Sequence, residues 1–128
     1  MQRYHPAADL AGMNSVNIEE IQARLAEFAK ERDWEQFHSP KNLSMALAGE
    51  VGELLEIFQW LSEEQSQRSA LTDKQLAAAT EELADILIYA LRLADRLDIN
   101  LEEAISKKID KNALRYTVEA SRGNSAKR

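Results

Sequence analysis

Four acidic residues form two pairs with the same spacing. Glu50 and Glu53 are three positions apart, and Glu82 and Asp85 repeat that spacing further along the chain. Residues three apart are neighbours on an α-helix, so each pair presents two carboxylates on one side. Carboxylate oxygens are the ligands that Mg²⁺ prefers in proteins, with Mn²⁺ or Ca²⁺ as substitutes. Two such pairs on facing helices would form a divalent-cation site.

Glu50 lies within an otherwise apolar helix face. At about 100° per residue, it falls between Leu47 and Leu54 on the side that also carries Leu43, and Glu53 falls at the edge of that side. A carboxylate buried alone is costly and normally becomes protonated or binds a cation. We therefore expect Glu50 to share a cation with the second pair. The alternatives are a structural carboxylate satisfied by hydrogen bonds and, for the second pair, a solvated charged face.

Four predicted helices position these acids. Each has a residue suited to cap its N-terminus, and three of the four have Glu or Gln three positions later, as in a capping box. The helices are predicted to begin after Asn17, Ser39, Thr72 and Asn100, and the second and third to end near Leu61 and Leu97. No alternating strand pattern competes with them. The sequence therefore predicts an all-α fold, a bundle of four helices.

The third helix has an apolar face that the acids flank. Glu82 and Asp85 lie on a side that continues to Arg92 and Arg96, and the predicted core face is Leu76, Leu83, Leu87, Ala90, Ala94 and Leu97. Consecutive helices joined by a short loop pack antiparallel, so the two acidic pairs would meet. Two unit charges about 4 Å apart interact by roughly 4 kcal/mol at an effective dielectric of about 20. A divalent cation would remove that repulsion.

Composition excludes several other classes of site. The chain has no cysteine, so disulfides, thiolate zinc sites and cysteine nucleophiles are absent, and its two histidines are too few for a three-histidine zinc site. A net charge of −6 argues against a nucleic-acid-binding surface. No segment is apolar enough to span a membrane, and the first residues lack the apolar core of a signal peptide. A cytoplasmic location is the expectation.

Two other functions were weighed. A di-iron carboxylate bundle requires Glu-x-x-His on two helices, and the sequence offers it once, at Glu35 and His38, so that function is rejected. A non-catalytic helical interaction module, in which the acids form a charged face, stays open. The phosphate-binding pattern GxxxxGK[ST] does not occur, so any phosphate would be held through a metal and side chains.

The acidic signature and its surroundings resemble a known family. Glu50-x-x-Glu53, 28 intervening residues and Glu82-x-x-Asp85 are similar to the metal signature of the all-α NTP pyrophosphatases, the MazG-like superfamily. The segments "FAKERDWEQFHSPKNLSMALAGEVGELLEIFQWL", "EELADILIYALRLAD" and "KKIDKNALRY" resemble its dCTP pyrophosphatase branch in content and order. The resemblance covers about residues 18–117. One departure is Thr117, which follows Tyr116 where the family often has proline.

The resemblance implies an activity and a site. Members of the branch hydrolyse a nucleoside triphosphate, preferably dCTP or a base-modified dCTP, to the monophosphate and pyrophosphate with Mg²⁺, and they form homodimers or homotetramers. A dUTP-directed or broadly specific enzyme is the alternative within the family. By resemblance, Glu50, Glu53, Glu82 and Asp85 are metal ligands, with Glu50 or Glu53 as the catalytic base. The substrate-binding residues that it implies are Trp34, His38, Trp60, Tyr89, Lys108 and Asn112.

The domain organisation follows from these assignments. Residues 17–119 are predicted to form the MazG-like helical catalytic domain. Residues 1–16 are predicted to be a flexible N-terminal segment, and residues 120–128 a flexible basic tail.

Overall fold

The computed structural model describes residues 17–128, so the predicted flexible segment 1–16 lies outside the described residues. The described chain contains helices joined by turns and no strand, which confirms the all-α prediction. Its elements are α1 (Ile18–Glu31), a 3-10 turn (Glu35–Phe37), α2 (Pro40–Phe58), α3 (Asp73–Arg96), α4 (Leu101–Arg115) and the one-turn α5 (Val118–Ser121). None of the helices in this range combines the length and apolar character needed to cross a bilayer.

The predicted N-caps all form. The side chains of Asn17, Ser39, Thr72 and Asn100 each accept a hydrogen bond from the backbone N–H three residues later. At α3 the capping box is complete, because the Gln75 side chain also accepts from the Thr72 backbone. Capping satisfies N–H groups that have no partner within the helix, so these starts are fixed by local sequence.

Helices α2 and α3 form the main packed pair, and α1 packs against α3. His38, just before α2, contacts Arg92 near the end of α3, whereas Ile57 near the end of α2 shares a cleft with Ala78 near the start of α3. The two helices are therefore antiparallel, as predicted. Gln22 of α1 donates a hydrogen bond to the Leu91 carbonyl at 2.9 Å, which joins α1 to the same half of α3.

The buried face of α3 differs from the predicted one. Of the predicted core residues, Ala94 is buried, whereas Leu83, Leu87 and Leu97 are exposed. Ala79 and Arg92, which were not predicted in the core, are buried. The helix is thus rotated toward its acidic side, with Glu82 half-buried against α2. Packing against the neighbouring helices therefore decides which of the two possible sides of α3 faces inward.

Helix α4 keeps its apolar side chains on the surface of the chain. Ile105, Ile109 and Leu114 are all exposed. Beyond α4, Thr117 stands where the resembled family often has proline, and its side chain caps α5 by accepting from the Ala120 N–H. In the last residues, the backbone N–H of Arg128 donates to the Tyr116 hydroxyl at 3.1 Å.

Candidate functional site: an acidic cluster beside an aromatic pocket

Helices α2 and α3 bring three of the predicted metal ligands together. Glu50 and Glu53 lie one turn apart on α2, and Glu82 faces them from α3. One carboxylate oxygen from each lies within 4.8 Å of the other two, and within residues 17–128 this is the group that could hold a metal ion. Glu53 is exposed and Glu50 and Glu82 are half-buried, so the cluster sits at the mouth of the α2–α3 interface.

The donor set of the cluster fits a divalent cation. Oε2 of Glu50 and Oε2 of Glu82 are buried and have no hydrogen-bond partner. A buried polar atom without a partner carries a desolvation cost, and such atoms occur where a ligand or ion completes the site. Glu53 and Glu82 also line an open cleft of about 360 Å³, which leaves the cluster accessible to a ligand. Oxygen donors of this kind suit hard cations such as Mg²⁺.

The carboxylates disturb one another's ionisation. The Glu50 carboxylate is close enough to share a proton with Glu82, which raises the pKa of Glu82 to about 7, and burial and the nearby Glu53 act in the same direction. For Glu50, a proton shared with Glu82 would lower the pKa, but the nearness of Glu53, burial and the charges of Glu53 and Asp85 outweigh this effect and raise the pKa. The pair therefore holds a proton near neutral pH when no cation is bound.

Asp85 links the acidic cluster to a neighbouring pocket. It is half-buried on α3, one turn beyond Glu82, and its charge acts on Glu50. It also lines a pocket of about 400 Å³ with mainly apolar and aromatic walls. The pocket residues are Leu25, Phe28, Trp34, His38, Asp85, Ile88, Tyr89 and Arg92. The structure thus places three predicted substrate-binding residues, Trp34, His38 and Tyr89, beside the acids.

A helix-ending motif positions Trp34. The Trp34 N–H donates to the Ala29 carbonyl at 2.8 Å, and the Asp33 N–H donates to the Lys30 carbonyl at 3.1 Å, which is the Schellman pattern. Asp33 takes the left-handed conformation that this pattern requires, with φ 56°. The indole then packs edge-on against Phe28, with ring centroids 5.7 Å apart. The end of α1 therefore directs Trp34 into the pocket wall.

Arg92 is a pocket residue that the sequence pattern did not identify. It lies on the acidic side of α3, for which a solvated charged face was the alternative, and it is 5% exposed. A signal was present, because Asp85, Tyr89 and Arg92 follow one another at spacings of four and three, which places them on one helix face. Phe28, near the end of α1, packs against Trp34 and forms part of the pocket wall.

Three predicted substrate-binding residues lie elsewhere on the chain. Trp60, just beyond α2, is 87% exposed and does not line the pocket. Lys108 is exposed and Asn112 half-buried on α4, and neither lines the pocket or joins the acidic cluster. Helix α4 makes no extensive contact with α2 or α3 within the described chain. The single chain therefore brings together the acids and one part of the predicted nucleotide pocket.

The chain is similar to proteins that are named pyrophosphatases. The chain is 51% identical over 110 residues to dCTP pyrophosphatase 1 of Mus musculus and 46% identical to dCTP pyrophosphatase 1 of Homo sapiens. Each alignment covers 86% of this chain and 65% of the relative, so the chain spans less than two thirds of the length of these relatives. The fold matches the crystal structure of a pyrophosphatase from Archaeoglobus fulgidus with a TM-score of 0.68 and 35% identity, over 91% of this chain and 97% of that one.

The family assignment agrees with the site. The sequence model of the MazG-like family matches residues 46–128, a range that contains all four predicted metal ligands. With the acidic cluster between α2 and α3 and the similarity to the archaeal pyrophosphatase over almost the whole of both chains, the chain belongs to the MazG-like family.

Proposed function

We propose that this protein is a Mg²⁺-dependent nucleoside triphosphate pyrophosphohydrolase that converts dCTP or a base-modified dCTP to the monophosphate and pyrophosphate. The observation that carries the proposal is the position of the Glu50, Glu53 and Glu82 cluster next to the pocket of Trp34, His38 and Tyr89. A triphosphate needs a cation site, and a base needs a flat apolar wall nearby. The similarity to proteins named dCTP pyrophosphatase 1 supports dCTP as the substrate.

Glu50, Glu53, Glu82 and Asp85 would hold the metal. When bound there, Mg²⁺, or Mn²⁺ as a substitute, would supply positive charge for the phosphate oxygens and would make a water more acidic. Glu50 and Glu82 supply the buried oxygens that lack partners, and Glu53 supplies an exposed one. Asp85, between the cluster and the pocket, would orient the triphosphate relative to the base.

The chain's own groups can then carry the proton transfer. Water attacks the α-phosphorus, the bond between that phosphorus and the bridging oxygen to the β-phosphate breaks, and pyrophosphate leaves. Glu53 or Glu50 would accept the proton of the attacking water as general base. Lys108 would stabilise the charge on the leaving pyrophosphate. Because Lys108 lies outside the pocket of its own chain, this role requires α4 of another subunit to complete the site.

The exposed apolar surface of the described residues supports that arrangement. Large apolar side chains are exposed on several helices, including Leu55 on α2, Leu87 on α3 and Ile109 on α4. Exposed apolar surface of this extent is typical of a subunit interface. We propose a homodimer or homotetramer in which Trp60, Lys108 and Asn112 reach the pocket of a neighbouring subunit. A cytoplasmic location, the lack of nucleic-acid partners and a role in nucleotide-pool housecleaning stay predictions.

The deciding experiment is a panel of nucleoside triphosphates with pyrophosphate release measured against Mg²⁺ concentration. We expect Mg²⁺-dependent release with dCTP or 5-methyl-dCTP as the best substrate. Preference for dUTP, or equal rates with all bases, would favour the alternative specificity within the family. If no triphosphate is hydrolysed and Mg²⁺ does not raise the melting temperature, the protein is a non-catalytic helical interaction module.

A further inference from the structure

Arg92 is buried and donates hydrogen bonds to two side chains. Its side chain is 5% exposed, and its Nε–H donates to Nδ1 of His38 at 3.2 Å. On the other side, Nη1 donates to Oδ2 of Asp95 at 3.2 Å, one turn along α3. Asp95 thus fixes the guanidinium, and the guanidinium in turn fixes one edge of the His38 ring. Arg92 is the buried charged residue within residues 17–128.

The chemistry of this contact sets the tautomer of His38. An arginine guanidinium has only N–H donors and stays charged at any physiological pH, so it cannot accept a hydrogen bond. Nδ1 of His38 must therefore be the acceptor and carry no proton. The ring is then neutral with its proton on Nε2. Burial lowers the pKa of His38, and the charges of Arg92 and Arg96 lower it further, which is consistent with a neutral ring.

The opposite edge of the ring is free. His38 lines the pocket together with Trp34 and Tyr89, and its ring centroid lies 6.4 Å from that of Trp34. Among the described residues, Nε2 of His38 has no hydrogen-bond partner, and it is not one of the buried unpartnered atoms. A neutral N–H that is open to an aromatic pocket suits a hydrogen-bond acceptor on a flat ring.

We propose that Arg92 is a positioning residue that locks His38 as the Nε2–H tautomer, so that the pocket presents a neutral donor to an acceptor atom of a pyrimidine base. On cytosine the acceptors are O2 and N3. The inference rests on the proposed function in one respect, which is that the pocket holds a nucleotide base. The pocket would then select bases that carry this acceptor, because a site built to hydrogen-bond a substrate group discriminates against ligands that lack the group.

The tautomer can be measured without substrate. Nitrogen-15 spectra of the imidazoles distinguish a protonated from an unprotonated ring nitrogen, and the chain has only two histidines, so His38→Gln assigns the signals. In the full-length protein at neutral pH we expect Nδ1 of His38 to be unprotonated and Nε2 protonated. Arg92→Met should give a mixture of tautomers and charged ring. Arg96→Met is the matched control, because Arg96 acts on His38 by charge without a hydrogen bond, and its spectrum should keep the wild-type tautomer.

Kinetics test what the tautomer does. Arg92→Met should raise KM for dCTP by about 3- to 10-fold, the loss expected for one hydrogen bond, while kcat changes by less than about 2-fold. His38→Phe removes the donor and should match Arg92→Met, whereas Arg96→Met, which leaves the Arg92–His38 hydrogen bond in place, should keep the wild-type KM. If Arg92→Met does not fold, the wild-type spectrum and the KM of His38→Phe decide the question.

The outcomes separate this inference from the proposed function. A wild-type spectrum with Nδ1 protonated, a His38 spectrum unchanged in Arg92→Met, or an equal KM for His38→Phe and wild type would each overturn the role of Arg92 in an otherwise active enzyme. A wild-type protein that hydrolyses no triphosphate would overturn the proposed function, and the base-reading part of this inference with it. The spectra would still establish whether Arg92 sets the tautomer.

Discussion

Glu50 on α2 and Glu82 on α3 each bury one carboxylate oxygen that has no hydrogen-bond partner. Together with Glu53, their carboxylates converge to within 4.8 Å. Such an arrangement of like charges is unfavourable for the folded chain alone, and it becomes favourable when a cation or a proton is shared. The first two predictions follow from this relationship.

Removing one carboxylate of the cluster should lower the activity without lowering the stability of the fold. We expect Glu82→Gln and Glu50→Gln each to lower pyrophosphate release by at least about 100-fold, the effect typical of losing one electrostatic group at a reacting phosphate. In EDTA their melting temperatures should equal or exceed that of the wild type, because one repelling charge is gone. Glu81→Gln is the control, since Glu81 is exposed and outside the cluster. Near-normal turnover in both folded cluster variants would exclude the metal site.

The stability of the metal-free protein should depend on pH. The pKa of Glu82 is about 7 in the folded chain against 4.5 as the ordinary value, so between these values the folded state binds more protons than the unfolded state. This contribution is fully present below 4.5 and is lost as the pH rises through about 7. Thermal unfolding in EDTA should therefore show a melting temperature that falls over this range, and Mg²⁺ should restore it at about pH 8. A slope unchanged in Glu82→Gln would contradict this assignment.

The chain should self-associate at micromolar concentration. Light scattering should give at least about twice the 14.5 kDa of one chain. Because apolar surface drives the association, the mass should persist when salt is raised, unlike that of a complex held by surface charges. A fully active monomer would remove both the proposed interface and any pocket shared between subunits.

The two tryptophans should act on substrate binding rather than on base choice. Stacking on a base is worth about 1–3 kcal/mol and tolerates any base, so Trp60→Ala should raise KM for dCTP and dTTP by a similar factor, roughly 5- to 150-fold. The same holds for Trp34→Ala, and dCTP should stay the better substrate. Steady-state kinetics on both substrates measures this. If Trp60→Ala leaves both KM values unchanged, the exposed Trp60 has no place in a pocket, whether of its own or of a neighbouring subunit.

The turn that directs Trp34 should be sensitive to the residue at position 33. Asp33→Val places a β-branched side chain at φ 56°, which should cost about 1–2 kcal/mol and lower the melting temperature. Asp33→Gly is the matched control, because it loses the same Asp33–Gln36 hydrogen bond but accepts this conformation without strain. Thermal unfolding compares the two. Equal stability of both variants would show that the Schellman turn does not depend on this position.

The sequence by itself determined the local features of this protein. The N-caps at Asn17, Ser39, Thr72 and Asn100 depend on side chains and N–H groups three residues apart, so spacing alone predicts them. Two further features are local in the same sense. One is the position of Glu50 and Glu53 on one side of a helix, and the other is the antiparallel order of two helices joined by a short connection. The convergence of Glu50, Glu53 and Glu82 followed from these rules and from the family resemblance, which also implied that Asp85 would join them, whereas Asp85 lies outside this three-carboxylate group.

Only the tertiary structure decided which side of α3 faces inward and what its polar residues contact. Helical periodicity favoured a core face with Leu83 and Leu87, but packing against α1 and α2 buries Ala79 and Arg92 and leaves those leucines exposed. The burial of Arg92 depends on His38, which is distant in sequence, and a charge can be buried only where such partners exist. Helical periodicity could not predict the exposure of Trp60 and of α4 either. A pattern of apolar residues identifies a surface that packs, but it does not identify the chain against which that surface packs.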